Sequence, residues 1–583
     1  MKRNPRARNS CCWRRTPLAA GLLLLWVGLG YGPAARAQDG DLMLRDEAYH
    51  LVDRLDILGI TPRHLPTDLK PYPREQVALW LSEADTAQMT AKEKAWLHRA
   101  RYRIDDSYVE ENERGVLQFF FRNRRDLLHY HTENFRVYLN PQVYGGLGFG
   151  QANFTAANQP DESRTLFRNT RGATLRGSVF KKVGFYGEFS DNQLRYPQFF
   201  HTLADGRQAV PGAGFYKAFN EDGYDFLLTK GYLTYSPIEQ LRFKFGRDRT
   251  FYGQGVQSLQ FSDHATDRLL FDVMARFWKL EYHTNYSQMV DYIPGKPDNF
   301  GAHPKKYATV HNLYFRPTKN ISLGLFESII FASQLPNQSR GFELNYLNPL
   351  IFYRAIEQYN GSPENGAMGA NFKVNFLQKF QTYGQIMLDD FNVSQTRESD
   401  GWWGNKYGLQ LGLKYIDAFG LATLDLQLEA NHLRPYLYAH YNVASNYMHY
   451  NQAMAHPLGA NLQELIGVVR YRPLSRLNME LQLASTAQGR DAGNLNYGSN
   501  PLLSDITHDN GEANPDFGNE TLQGERWNQF RANLRVSYEL FLLNAFVDLD
   551  AFYRQESFAG NDFTNYAVLL SLRWHISRMP FRF

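Results

Sequence analysis

Near its end the chain alternates with a period of two: Tyr566, Val568, Leu570, Leu572, Trp574 and Ile576 interleave with Ala567, Leu569, Ser571, Arg573 and His575. Successive side chains of a strand point to opposite faces, so such a segment offers one face to lipid and the other to a polar interior. The pattern recurs in Phe243–Arg247, in Asn371–Leu377 through Phe372, Val374 and Phe376, in Leu409–Tyr415, in Leu424–Leu428 and in Val536–Leu540. About eighteen such segments fit between Gly115 and Ile576, each close to the roughly ten residues that a tilted membrane strand needs.

Composition separates this from a soluble β-protein. The chain carries 36 Tyr and 41 Phe, yet its mean hydropathy is −0.49 and no stretch has the length and apolarity of a transmembrane helix. Aromatic-rich but polar on average is the profile of a transmembrane barrel; a soluble array of sandwiches does not need the aromatic excess. The connections alternate in length. Ser236-Pro237-Ile238-Glu239, Arg316-Pro317-Thr318-Lys319, Asp417-Ala418-Phe419-Gly420 and Arg472-Pro473-Leu474-Ser475 are tight, and Tyr235, Phe315 and Tyr471 each stand just ahead of an x-Pro stop. An aromatic at a strand end before a tight turn is what an interfacial girdle on the periplasmic side requires. Stretches near 193–224, 286–306, 334–365, 433–459 and 488–526 are long and rich in Asn, Gly, Asp, Tyr and Pro, as cell-exterior loops are. The terminal Met579-Pro580-Phe581-Arg582-Phe583, ending on an aromatic, resembles the signal read by barrel-assembly machinery.

The first 37 residues read as a signal peptide: a basic start from Lys2 to Arg15, an apolar run from Leu18 to Leu29, and Ala35-Arg36-Ala37 ahead of a cleavage point before Gln38. An uncleaved membrane anchor is the weaker alternative, because the run is short for a bilayer core. Arg14-Arg15 hint at twin-arginine export, but Thr16-Pro17 fit it poorly, so general secretion is the expectation. Cys11 and Cys12 leave with this segment, which removes disulfides, thiolate metal sites and Cys nucleophiles from the mature chain. So do seven of the 63 Lys and Arg and none of the 59 Asp and Glu, leaving 56 basic against 59 acidic residues, a formal charge of −3. That is no footprint for nucleic acid.

Residues 38–110 are expected to form a small periplasmic helical bundle. Leu44, Ala48, Leu51, Val52, Leu55 and Leu58 recur at helical spacing and stop at Gly59; a second helix follows Pro71-Tyr72-Pro73; a third follows Thr90, with Glu93 three residues on. Residues 48–81 also carry a weak likeness to an S-layer-homology unit. Residues 111–583 are then the outer-membrane barrel. The expected fold class is an all-β transmembrane barrel of about 18 antiparallel strands behind a small N-terminal helical bundle.

Three stretches carry a resemblance: Gly231–Tyr235 through Lys244–Arg249, Tyr252–Gly255, Ser258-Leu259 and Ser262-Asp263; Phe342–Arg354 with Glu357 and Gly361–Asn365; and Tyr383-Gly384-Gln385 with Leu388–Phe391. Together they resemble the Wzi-type capsule-assembly outer-membrane proteins, in the version that includes gliding-motility outer-membrane proteins. The resemblance spans nearly the whole mature chain in layout, bundle first and barrel after. It implies a lectin-like surface barrel that holds or organises capsular polysaccharide.

Candidate ligand-binding residues are Arg247, Arg249, Tyr252, Asp263, Asn348, Tyr353, Arg354 and Glu357. Arg247 and Arg249 share one face of a strand and Asp248 takes the other; arginines face lipid only at a cost, so the pair is expected in the lumen, free to grip acidic sugars bidentately. A lumenal salt-bridge ladder with Asp263, Asp267 or Glu357 is the plainer alternative. Tyr252-Gly253-Gln254-Gly255 lacks the helix a phosphate loop needs and reads as a turn or bulge at a barrel rim. Asn345–Pro349 with Tyr353 and Arg354 suits a sugar-stacking loop over the lumen, or equally an interfacial aromatic anchor. No catalytic, metal or cofactor motif emerges: His129 and His131 near the first strands, and His432, His440, His449 and His456 in one long loop, read as exposed polar residues. Against the leading non-enzymatic glycan-binding barrel stand a porin-like diffusion channel and an outer-membrane hydrolase; a TonB-dependent transporter would need a larger plug.

Overall fold

The computed structural model of the protein describes residues 40–578 apart from 63, 109–124, 155–160, 221, 292–302, 336–337, 340, 350–363, 391–393, 396–399, 510–511 and 541–544. The signal segment, its cleavage site, the C-terminal pentapeptide, Tyr353, Arg354 and Glu357 therefore lie outside the described residues.

Three helices open the described chain. α1 (Ala48–Leu58) ends on Gly59 at φ 66°, the left-handed cap its glycine was expected to supply. α2 (Arg74–Ser82) starts directly after Pro73. At the start of α3 (Ala91–Ile104) the Thr90 hydroxyl and the Glu93 carboxylate cap each other's backbone N–H groups. Their apolar faces make a core of their own around Leu51, Leu55, Trp80, Trp96 and Leu97.

Eighteen antiparallel strands follow: β1 (Phe135–Phe154), β2 (Glu162–Val179), β3 (Val183–Arg195), β4 (Gly223–Ile238), β5 (Leu241–Asp248), β6 (Arg268–Phe277), β7 (Leu280–Val290), β8 (Lys305–Thr318) and β9 (Ile321–Ala332). The second half is β10 (Asn365–Phe376), β11 (Phe380–Asp389), β12 (Tyr407–Tyr415), β13 (Leu424–Leu433), β14 (Leu462–Leu474), β15 (Leu477–Arg490), β16 (Glu525–Glu539), β17 (Ala545–Phe558) and β18 (Asn561–Trp574). Each strand pairs with the next in sequence, and β18 pairs with β1 to close the barrel. On β18, Tyr566, Val568, Leu570 and Leu572 face outward while Ala567, Leu569, Ser571 and Arg573 are buried, as the alternation requires. One end of the barrel carries the tight turns, with Phe277, Trp278, Leu377 and Phe419 strongly exposed there, and the other carries the long loops. A further helix, α4 (Gln198–Arg207), lies in one of those loops.

The lumen is filled from both ends. At the tight-turn end the bundle sits within the barrel mouth, docked by ion pairs among other polar contacts: Asp53 with Lys414 (2.8 Å), Asp56 with Lys373 (2.8 Å), Asp68 with Arg316 (2.9 Å), and Arg54 with Asp417 and Asp425 (2.9 and 2.5 Å). From the long-loop end, residues 249–267 and 434–461 fold inward. Their Leu259, Phe261, Leu437, Tyr438, Tyr447 and Met454 pack against Val310, Phe326 and Met387 of the wall, so an apolar core crosses the lumen.

Candidate functional site

The inner loop 249–267 organises the closed lumen. Its Phe251 and Tyr252 pair as strand with Lys70 and Leu69 of the bundle, and the Gly253 N–H donates to the Asp68 carbonyl at 2.8 Å. Gly253 takes φ +120°, and a Cβ there would stand 2.5 Å from Gln385 Nε2; a Cβ on Gly255 would stand 2.5 Å from Glu429 Oε2. Only glycine lets this backbone lie so close to the wall. The Glu429 carboxylate accepts the Val256 and Gln257 N–H groups at 2.6 and 3.0 Å, meeting the polar demand of a backbone buried in the lumen. The expected rim turn is thus a loop deep inside, and the reason is tertiary: the bundle supplies the strand that it pairs with.

The arginine pair divides. Arg242, Lys244 and Asp248 form the inward row of β5, where Asp248 contacts Lys244 and pairs with Lys230 at 2.5 Å. Arg247 is therefore on the outward face with Phe243 and Phe245, the reverse of the lumenal placement expected from its charge. Arg249 lies past the strand end and turns inward, pairing with Asp267 at 2.8 Å and donating to the Gly212 carbonyl at 3.1 Å. Asp263 pairs with Arg45 of the bundle at 2.7 Å, and Tyr252 is buried beside Phe261 and His283. The ladder reading describes Arg249 and Asp263. Asn348 is exposed, but its turn does not cover the lumen: Tyr346 packs on Phe331 of the outer wall, and the Tyr286 hydroxyl donates to the Leu347 carbonyl at 3.2 Å.

The histidines of residues 433–459 are not exposed. His440, His449 and His456 are buried, because Leu437, Met454 and Ala455 between them carry the segment into the lumen. His449 Nδ1 accepts the Val290 N–H at 3.0 Å, and burial pushes its pKa down to about 3. His456 bridges to Glu464 at 3.0 Å, and Glu464 pairs with Arg531 at 2.8 Å. Each is a structural tie.

Above this core the outer loops knit into a roof. Trp403 N–H donates to the Asp516 carbonyl (3.1 Å), Gly518 N–H to Asp400 (2.7 Å) and Asn519 N–H to Gly401 (2.9 Å), so residues 400–406 and 514–524 run as one layer. The buried Lys406 fastens it to Asp390 and Asp505 at 2.9 and 2.8 Å. Trp402 and Trp403 are half-buried in this layer and Phe517 is exposed beside it. Aromatic rings held rigid next to Asp, Asn and backbone groups are chemistry suited to sugars, whose C–H faces stack while their hydroxyls bond in the plane. Sequence reasoning passed over these residues, although Asp400-Gly401-Trp402-Trp403-Gly404 was a visible signal.

A closed barrel with an apolar outer face, a bundle in one mouth and a knitted roof over the other is the build of an outer-membrane barrel. The family profile described as capsule assembly protein Wzi matches residues 143–557, and the chain belongs to that family. Among solved structures it is similar to Escherichia coli Wzi, described as a carbohydrate-binding β-barrel involved in group 1 capsule assembly: TM-score 0.56 at 14% identity, covering 93% of this chain and all of that one. Acinetobacter baumannii OccAB4 gives 0.41 at 9% identity over 76% of this chain and 98% of that one. Pseudomonas aeruginosa OccK8 gives 0.39 at 7%, over 75% and 98%. Among curated proteins, none matches the chain significantly.

Proposed function

We propose that this protein is a non-enzymatic barrel that holds capsular polysaccharide on its outer roof and so supports capsule assembly, with the bundle on the periplasmic side. The observation that carries the reading is the roof itself: half-buried Trp402 and Trp403, fixed by backbone bonds between two loops, above a lumen closed by apolar packing. Family membership and the carbohydrate binding described for the Escherichia coli relative support it. In this reading Arg249, Tyr252 and Asp263 build the platform, and the half-buried Trp402 and Trp403 rings with neighbouring Asp400 meet the glycan. Outer-membrane lipid surrounds the wall, and barrel-assembly machinery inserts it.

The test is binding of purified protein to the producing strain's own surface polysaccharide. Wild-type protein binds saturably, and Trp402→Ala with Trp403→Ala weakens binding about tenfold or more, since stacking on an aromatic ring is worth on the order of 1 kcal/mol per ring. Equal binding by a variant with unchanged heat-modifiable gel mobility would overturn the roof assignment.

A further inference from the structure

Arg247 lies exposed on the outward, lipid-side face of β5. Its paired neighbours are Gly231 on β4 and Leu269 on β6, and Phe245, Leu233 and Leu269 around it are exposed apolar side chains. Among the described residues it forms no hydrogen bond or ion pair. A Cβ on Gly231 would meet only the Tyr186 carbonyl, at 3.6 Å, so the wall beside the guanidinium is open. A charged group on the lipid face of a barrel is costly unless something meets it at the interface.

The same wall carries other polar groups. On β2 and β3, Arg171 pairs outward with Asp191 at 3.0 Å, its side chain 64% exposed, and Asn169, Gln193 and Asp225 bond to one another in a row at 3.4 and 3.1 Å. Paired rows climb around this barrel: Val183 at the start of β3 shares a row with Tyr235, Phe243 and Val273. That row then rises through Thr284, His311, Glu327, Met368 and Leu388 to Tyr407, at the outer end of β12. The row through Arg171 and Asp191 meets β4 at Leu227, outward of Gly231, and the climb over three strands takes back that offset. Arg171 and Arg247 thus stand at one height, directly above an apolar belt of Leu175, Phe185, Phe189, Leu233 and Phe245. Arg247 is the last outward residue of β5, at its long-loop end.

We propose that Arg247 binds a phosphate of an anionic outer-leaflet glycolipid against the β2–β5 wall, with Arg171, three strands away, meeting a second phosphate of the same headgroup. The guanidinium offers a planar fork that matches two phosphate oxygens, and the open floor over Gly231 leaves room for the headgroup to come down to it. Asp191 already engages Arg171, so Arg247 carries the larger share. This inference does not depend on the roof's glycan binding.

The experiment is native mass spectrometry of the full chain in nanodiscs, titrated with bis-phosphorylated lipid A, its dephosphorylated form, or inorganic phosphate. Wild-type protein retains the phosphorylated lipid; Arg247→Gln lowers retention about tenfold, the worth of one charge-assisted hydrogen bond, and Arg171→Gln lowers it less. Arg247→Leu, a second variant, melts higher than wild type in uncharged lipid and loses that advantage when phosphorylated lipid A is added. Equal retention of both lipid forms, or no change in Arg247→Gln, overturns the proposal. Displacement of the lipid by millimolar inorganic phosphate alone also overturns it, as that outcome marks a free-phosphate site.

Discussion

Arg247 and Arg249 share a residue type and a strand parity, yet one meets lipid and the other a buried carboxylate, because β5 ends at Asp248 and parity no longer holds one residue later. A rule about which side chains tolerate lipid cannot locate a strand end. His449 shows a second single-residue effect. Burial, with Arg268, Lys306 and Arg247 nearby, holds its pKa near 3, against the backbone contact to Asp267 that favours the charged form. Above about pH 6.5 the imidazole is neutral in both folded and unfolded chains and contributes nothing to pH dependence. As pH falls from there toward 3, the unfolded segment takes a proton that the folded one refuses, so the inward loop loses stability on the acid side. Hydrogen-exchange protection of residues 434–461, taken relative to the intrinsic exchange rate at each pH, is expected to fall between pH 7 and 4. His449→Gln, whose amide oxygen can accept the Val290 N–H, should flatten that trend by its share; burial also lowers the pKa of His440, in the same loop, so part of the trend persists. An unchanged slope would remove His449 from the account.

Among the elements, the bundle is the one whose packing divides most sharply by chemistry: apolar within, ionic toward the barrel. Arg54 is the strongest tie, fully buried between Glu93 at 2.5 Å, Asp417 and Asp425. Removing one partner of such a network leaves buried carboxylates uncompensated, at a cost of about 3–5 kcal/mol. Arg54→Ala should therefore loosen α1 and α3, seen as faster hydrogen exchange in residues 48–104, while strand amides keep their protection. Raised salt should mimic it poorly, since buried pairs are weakly screened. The three helices were legible in sequence down to the Gly59 and Thr90 caps, because caps are local chemistry. Their seat inside the barrel mouth was not, since the partners Lys373, Lys414 and Asp425 lie more than three hundred residues away.

Across the whole molecule, the lumen is crossed by Leu259, Phe261, Leu437, Tyr438 and Met454, with the bundle beneath. This packing, with the bundle beneath it, obstructs the lumen, so in planar bilayers the full chain should show no steady open-channel conductance. Stable open steps would instead support the porin reading. The same closure explains why long loops 249–267 and 434–461 need so many bonds to the wall: a backbone drawn out of water must find partners.

The strand count, the inside-outside alternation, the tight-turn and long-loop ends and the helical caps were all written in the sequence, because each follows from periods of two or 3.6 and from residues adjacent in the chain. Which long loops turn inward, which histidines are buried, and that Arg247 looks outward were decided only by the tertiary structure. Those outcomes depend on where strands end and on what the far side of a closed barrel presents, and neither is a property of any local stretch of residues.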